Sequence, residues 1–292
     1  MKPTKEGYVN INRVNIYYKI FGNYEKHILI LHGGPGASHN YLLPLARLSN
    51  EGFTTVFYDQ CGSGRSGEHE DLEKCTTLDY YVSEVEMVRK SIIGEKDFVL
   101  LGHSWGGLLA LAYASKHQAN LRGLIVSSGL SSVPLTTKEM RRLIEELPSE
   151  IKIKIIECEE KNNFTSEECQ AAVYEFYKRH LLRLDSYPED VVESLNYLMK
   201  RKIYSIMNGP TEFEIRGKIK DIDLTDDIKN IKVPTLITVG EYDEVTPSIA
   251  KIIKDNIEGS KMVVIPNSSH MAFYENPDYY FKVLIDFLGE IY

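Results

Sequence analysis

Six short apolar runs, most of them closed by turn-forming or polar residues, constrain this chain more than any other feature. They are His27–Leu31, Thr54–Tyr58, Phe98–Leu101, Leu124–Ser127, Thr235–Val239 and Met262–Ile265. Runs of this length without polar alternation read as strands buried on both faces of a sheet. Helical stretches separate most of them, and strand and helix in alternation give a mainly parallel sheet with helices on both sides, an α/β fold. Only the start differs: Val9, Ile11, Val14, Ile16, Tyr18 and Ile20 fall into an alternating pattern around Asn12-Arg13, which predicts an antiparallel hairpin with one wet face.

One segment breaks the rhythm. Between Ser127 and Thr235 no buried-strand signal occurs, and the residues there read as helices. Thr136-Thr137-Lys138-Glu139 has a capping-box pattern, with Met140, Leu143, Ile144 and Leu147 following at helical spacing. Thr165-Ser166-Glu167-Glu168 is a second such box, ahead of Val173, Phe176 and Tyr177, and Pro188 opens a third helix. A helical insertion between two strands of a parallel sheet is expected to cap the strands' C-terminal edge, where ligands bind in open α/β sheets. The expected division is a catalytic frame of residues 1–129 and 230–292 and a helical cap of residues 130–229.

Composition narrows the function. The 292 residues carry a net charge of −8 and no basic run, so a nucleic-acid partner is not expected. No apolar run approaches the ~20 residues of a membrane helix, and Met1–Gly7 lacks the apolar core of a signal peptide. Cys61, Cys75, Cys158 and Cys169 form no Cys-x-x-Cys pair and read as scattered thiols suited to a reducing cytosol. The expected location is therefore cytoplasmic. No His-Glu-x-x-His or comparable metal-ligand spacing occurs, so neither a metal nor a cofactor is expected.

The chemistry concentrates in loops that follow strands. Gly102-His103-Ser104-Trp105-Gly106-Gly107 lies between the run ending at Leu101 and a helix-like stretch, the Gly-x-Ser-x-Gly pattern of a nucleophile elbow. The turn is so tight that its flanking positions exclude a Cβ, and it aims a helix N-terminus at the developing oxyanion. The partners of such a serine follow in the order acid, then histidine. Asp243 stands just past the run Thr235–Val239, and His270 past Met262–Ile265. His270 is the one histidine beyond both Ser104 and the candidate acid. His32-Gly33-Gly34-Pro35-Gly36 follows the first buried strand, where the second oxyanion donor is expected. Gly34 and Trp105 are the candidate backbone donors.

Together with Asp59-Gln60-Cys61-Gly62-Ser63-Gly64-Arg65-Ser66, Gly240-Glu241-Tyr242-Asp243 and Asn208-Gly209-Pro210-Thr211-Glu212-Phe213, these motifs resemble the proline iminopeptidases over nearly the whole chain. The likeness is strongest to the archaeal enzymes that act downstream of the tricorn protease. Cys61 departs from the family, which often has Arg there. The resemblance implies the α/β-hydrolase fold, a serine exopeptidase releasing proline and other apolar residues from short peptides, and a functional link to a large, tricorn-like protease. It also implies that Glu212, in the cap, and Glu244, beside the catalytic acid, bind the substrate's free amine. The aromatics Tyr174, Phe176, Tyr177 and Tyr204 are either pocket lining or core. An esterase or carbon–carbon hydrolase on the same fold, with no ammonium site, is the alternative.

Overall fold

The computed structural model describes residues 1–292. Eight strands form one sheet in the order β1-β2-β4-β3-β5-β6-β7-β8. They are β1 (Lys5–Ile11), β2 (Val14–Phe21), β3 (Lys26–Leu31), β4 (Phe53–Tyr58), β5 (Phe98–His103), β6 (Leu121–Ser127), β7 (Thr235–Gly240) and β8 (Lys261–Ile265). β1–β2 and β2–β4 pair antiparallel and every other neighbour is parallel. The hairpin turns at Asn12 and Arg13, both at positive φ, as a two-residue loop matched to the right-handed strand twist requires.

The inner strands are buried on both faces, and their residues divide between two cores. Leu29, Leu31, Leu100, Val126 and Val239 pack on one side with helices α1 (Leu78–Ile92) and α2 (Trp105–Ala114). Ile28, Ile30, Leu101, Ile125 and Leu236 pack on the other with the helical run 39–51 and the C-terminal helix. β8 departs from the expectation: as the edge strand it is half-exposed, with Val264 40% accessible, because nothing pairs beyond it.

Between β6 and β7 the chain forms α3 (Val133–Glu145), α4 (Ser149–Glu160), α5 (Glu167–His180), α6 (Glu189–Lys200) and α7 (Lys202–Met207). After β7 come α8 (Pro247–Asn256) and α9 (Pro277–Ile291). The first capping box is displaced. α3 begins after Ser132, whose hydroxyl accepts the Leu135 N–H, because Pro134 suits a first turn and Thr136 bonds back to the Ser132 carbonyl. At α5 the cap is Ser166 rather than Thr165. The cysteines are not all free thiols: Cys158 and Cys169 form a disulfide between α4 and α5, their Cα atoms 5.9 Å apart. The antiparallel helix pair creates a proximity that their spacing in the chain does not reveal. Cys61 and Cys75 are free and buried. No helix is long and apolar enough to cross a membrane.

Candidate active site

Ser104 sits between β5 and α2 with φ 57° and ψ −123°, a strained backbone that few non-glycine residues adopt. Its surroundings leave the chain no alternative there. A Cβ on Gly102 would stand 2.0 Å from the Gly106 carbonyl oxygen, and one on Gly106 would stand 2.3 Å from the Leu31 carbonyl oxygen. A Cβ on Gly33 would come within 2.9 Å of the Ser104 Cβ, so the loop after β3 is pressed against the serine.

The acid and histidine lie on neighbouring strand ends. His270 Nδ1 donates to Asp243 Oδ1 at 2.7 Å, and both residues are buried. The Asp243 carboxylate is itself oriented by the N–H groups of Val245 (2.9 Å) and Gly240 (3.3 Å). With Asp243 on its far side, the His270 ring lines a cavity of about 50 Å³ together with Gly34, Ser104, Glu212 and Glu244. A second cavity of about 30 Å³ adjoins it, sharing Gly34, Ser104, Glu212 and Glu244 and walled by Trp105, Leu108, Leu130, Met140 and Val245. Ser104 Oγ makes no hydrogen bond, as is common before a substrate tightens such a site. The Gly34 N–H has no protein acceptor, and Trp105, the first residue of α2, has none within its helix. Gly34 has φ +113°, and a Cβ there would collide with the nitrogens of Gly36 and Ala37.

Glu212 and Glu244 are brought to the same cavities from different parts of the chain. Glu212 follows α7 and accepts one hydrogen bond from Tyr204 Oη at 2.7 Å. Glu244 is 1% exposed, and its Oε2 has no partner. Neither carboxylate meets a lysine or an arginine. Burial pushes both carboxyls up, Glu244 well above the usual range; the Tyr204 hydroxyl and His270 pull Glu212 partly back. Burial alone would pull the His270 imidazole down, but Asp243, Glu244 and Glu212 outweigh it and hold it at about 9.

Several supporting groups were not legible from sequence. Tyr41 Oη accepts from the Gly33 N–H at 2.7 Å and donates to His103 Nδ1 at 2.9 Å. His103 Nε2 in turn donates to the His270 carbonyl at 2.8 Å. The chain ties the loop after β3 to the histidine loop, and burial keeps His103 neutral enough to serve as acceptor on one side. Gln60 donates to the His32 carbonyl and accepts from Trp105 Nε1, which ties the same loop to the first residue of α2. From the insertion, the His180 carbonyl accepts the N–H groups of both Glu244 (3.1 Å) and His270 (3.2 Å), and its ring Nδ1 donates to the Tyr242 carbonyl at 2.8 Å. These links join residues far apart in sequence, so no local pattern marks them. Of the four aromatics, Tyr174, Tyr177 and Tyr204 line a further cavity that also includes Glu212, whereas Phe176 is core against Phe213.

A strained serine after β5, a histidine–aspartate pair on later strand ends and a helical insertion between β6 and β7 define a hydrolase of the α/β fold, and a model of the alpha/beta hydrolase fold matches residues 26–277. A proline iminopeptidase of Saccharolobus solfataricus is 52% identical over 290 residues, covering 99% of this chain and 93% of the relative. One of Thermoplasma volcanium is 49% identical over 286 residues, covering 97% and 96%. The chain belongs to the proline iminopeptidase family. Among solved structures, it is similar to VinJ (TM-score 0.97, 32% identity, all of both chains) and to the proline iminopeptidase of Mycobacterium smegmatis (TM-score 0.92, 28% identity, 98% of each chain).

Proposed function

We propose that this protein is a serine aminopeptidase that releases N-terminal proline, and other mainly apolar first residues, from short peptides through an acyl-enzyme. One observation carries the reading: a fully buried Glu244 and a partly buried Glu212 stand in the cavity of Ser104 and His270 with no lysine or arginine to balance them. Buried carboxylates without a partner are costly, and a cation supplied by the ligand removes that cost. The free amine of a peptide is such a cation, and charge-assisted hydrogen bonds would hold it. One residue spans only about 3.5 Å of chain, so an amine fixed there brings the first peptide bond to Ser104.

In this reading Ser104 Oγ attacks the first carbonyl carbon and its proton passes to His270 Nε2. Asp243 holds the imidazole and steadies its positive form. The oxyanion is met by the N–H groups of Gly34 and Trp105. His270 returns the proton to the departing amine, and water activated by the same base releases the amino acid. Residues 130–229 act as a cap that closes over the strand ends and admits only narrow, free chain ends. Supply of such ends fits a cytosolic setting downstream of a large, tricorn-like protease. A neutral ester or carbon–carbon substrate would offer the two glutamates no cation, which disfavours the alternative. Aminoacyl anilides with free and acetylated amines test the reading. The free forms are expected to react at least a hundredfold faster, and equal rates would overturn it.

A further inference from the structure

Glu244 touches the imidazole as well as the cavity. Its Oε1 lies 3.8 Å from His270 Nε2, the nitrogen that must receive the serine proton. Both side chains are almost fully buried, and Ser104 has no hydrogen bond to compete. The groups that face this imidazole are Asp243 and Glu244 from the loop after β7, Glu212 from the insertion and the neutral His103 ring from the end of β5. They comprise three carboxyl groups and no lysine or arginine. At this distance the contact is an ion pair: an ionised Glu244 draws an imidazolium to itself and favours the proton on Nε2. That arrangement denies Ser104 the lone pair it needs.

We propose that Glu244 latches His270 in the free enzyme and that the ammonium of the incoming peptide releases it by taking Glu244, with Glu212, into its own ion pair. The inference rests on the ammonium anchor proposed above. A cation between the two carboxylates favours their ionised forms and disfavours a positive imidazole, so binding expels a proton to solvent. Nε2 is then free to serve Ser104. The raised imidazole of the free site agrees with this direction. Substrates without a free amine lose twice, once in binding and once because the base is never released, so selectivity enters kcat as well as KM.

The test uses a substrate with no amine, p-nitrophenyl propionate. In the wild-type enzyme its hydrolysis is expected to rise with pH to a midpoint near 9, the value at which the imidazole is held. Glu244→Ala should move that midpoint down, while Asp243 still holds the buried imidazole above its freely solvated range, and raise the rate at pH 7 several-fold, because more of the free base is present there. Methylammonium at pH 7 should accelerate the wild-type reaction several-fold over sodium at equal ionic strength and leave Glu244→Ala unaffected. That arm needs only the unaltered protein. If the variant keeps the wild-type pH profile and methylammonium does not accelerate, the latch is refuted. A persisting preference for free over acetylated anilides would then leave the anchor standing; loss of that preference too would remove the anchor with it.

Discussion

The strand ends of the sheet and the helical insertion above them solve opposite problems. At the strand ends the geometry is forced: Gly102 and Gly106 have backbone where any Cβ would be, and Ser104 is held in a conformation it would not choose alone. Asp243 is fixed by two N–H groups of its own loop. The insertion meets this frame through sparser links, among them the His180 carbonyl, the Ser194 hydroxyl at the backbone of Ser38, and Arg201 on the carbonyls of Gly64 and Ser66. In the proposed reading the frame carries out acyl transfer, while Glu212 from the insertion and Glu244 from the loop after β7 select which acyl group arrives. Changes to Ser104, His270 or Asp243 should therefore abolish turnover of every substrate, whereas changes to the two glutamates should re-rank substrates.

The largest effect is expected at Ser104. Ser104→Ala should cost about ten-thousand-fold or more in kcat on anilides and esters alike, with an unchanged circular-dichroism spectrum. A variant that spared one substrate class would mean that the frame is not the common chemical engine. Next comes Glu212→Gln. It should lower kcat/KM for prolyl anilide by roughly thirty- to a hundredfold, the ~2 to 3 kcal/mol of a buried charge-assisted hydrogen bond, and leave a neutral ester undiminished. Equal losses on both would place Glu212 in the general chemistry.

Two smaller effects sharpen the boundary. Replacing Cys158 and Cys169 by Ser opens a loop of sequence separation 11 inside the insertion. It should cost about 2 to 3 kcal/mol in chemical denaturation while ester turnover at 25 °C is retained. His180→Leu removes the ring bond to the Tyr242 carbonyl and should reduce kcat about fivefold. His180→Asn, whose side-chain N–H can take the place of Nδ1, should restore most of it. Failure of Asn to rescue would mean that the ring matters for packing against Phe176 rather than for holding the loop.

What was legible in the sequence follows the same division. The inner strands were readable because a strand buried on both faces must be a continuous apolar run, and β1 and β2 because one wet face leaves alternation; β8 was read as buried and is a half-exposed edge. The glycines around Ser104 were readable because only one residue type fits. The order serine, acid, histidine was expected from the nucleophile-elbow pattern, and the structure brings His270 against Asp243. The insertion was less transparent. Three of its five helices were marked by a capping pattern or Pro188, but α3 begins after Ser132, since Thr136 finds a backbone carbonyl within the helix and leaves the cap to an earlier hydroxyl. The Cys158–Cys169 bridge and the Tyr41–His103–His270 chain depend on packing between distant segments, which leaves no local periodicity. Glu212 stands on irregular chain after α7 and was found only through the family resemblance.

Trapping the acyl-enzyme tests the account most directly. A prolyl p-nitrophenyl ester, mixed with the enzyme and quenched in acid during turnover, is followed by proteolytic digestion and mass spectrometry of the fragment carrying Ser104. The expected result is one prolyl group on Ser104, with far weaker labelling when acetyl-proline ester is used at the same concentration. Turnover with no adduct on Ser104, or equal labelling by the acetylated ester, would contradict it.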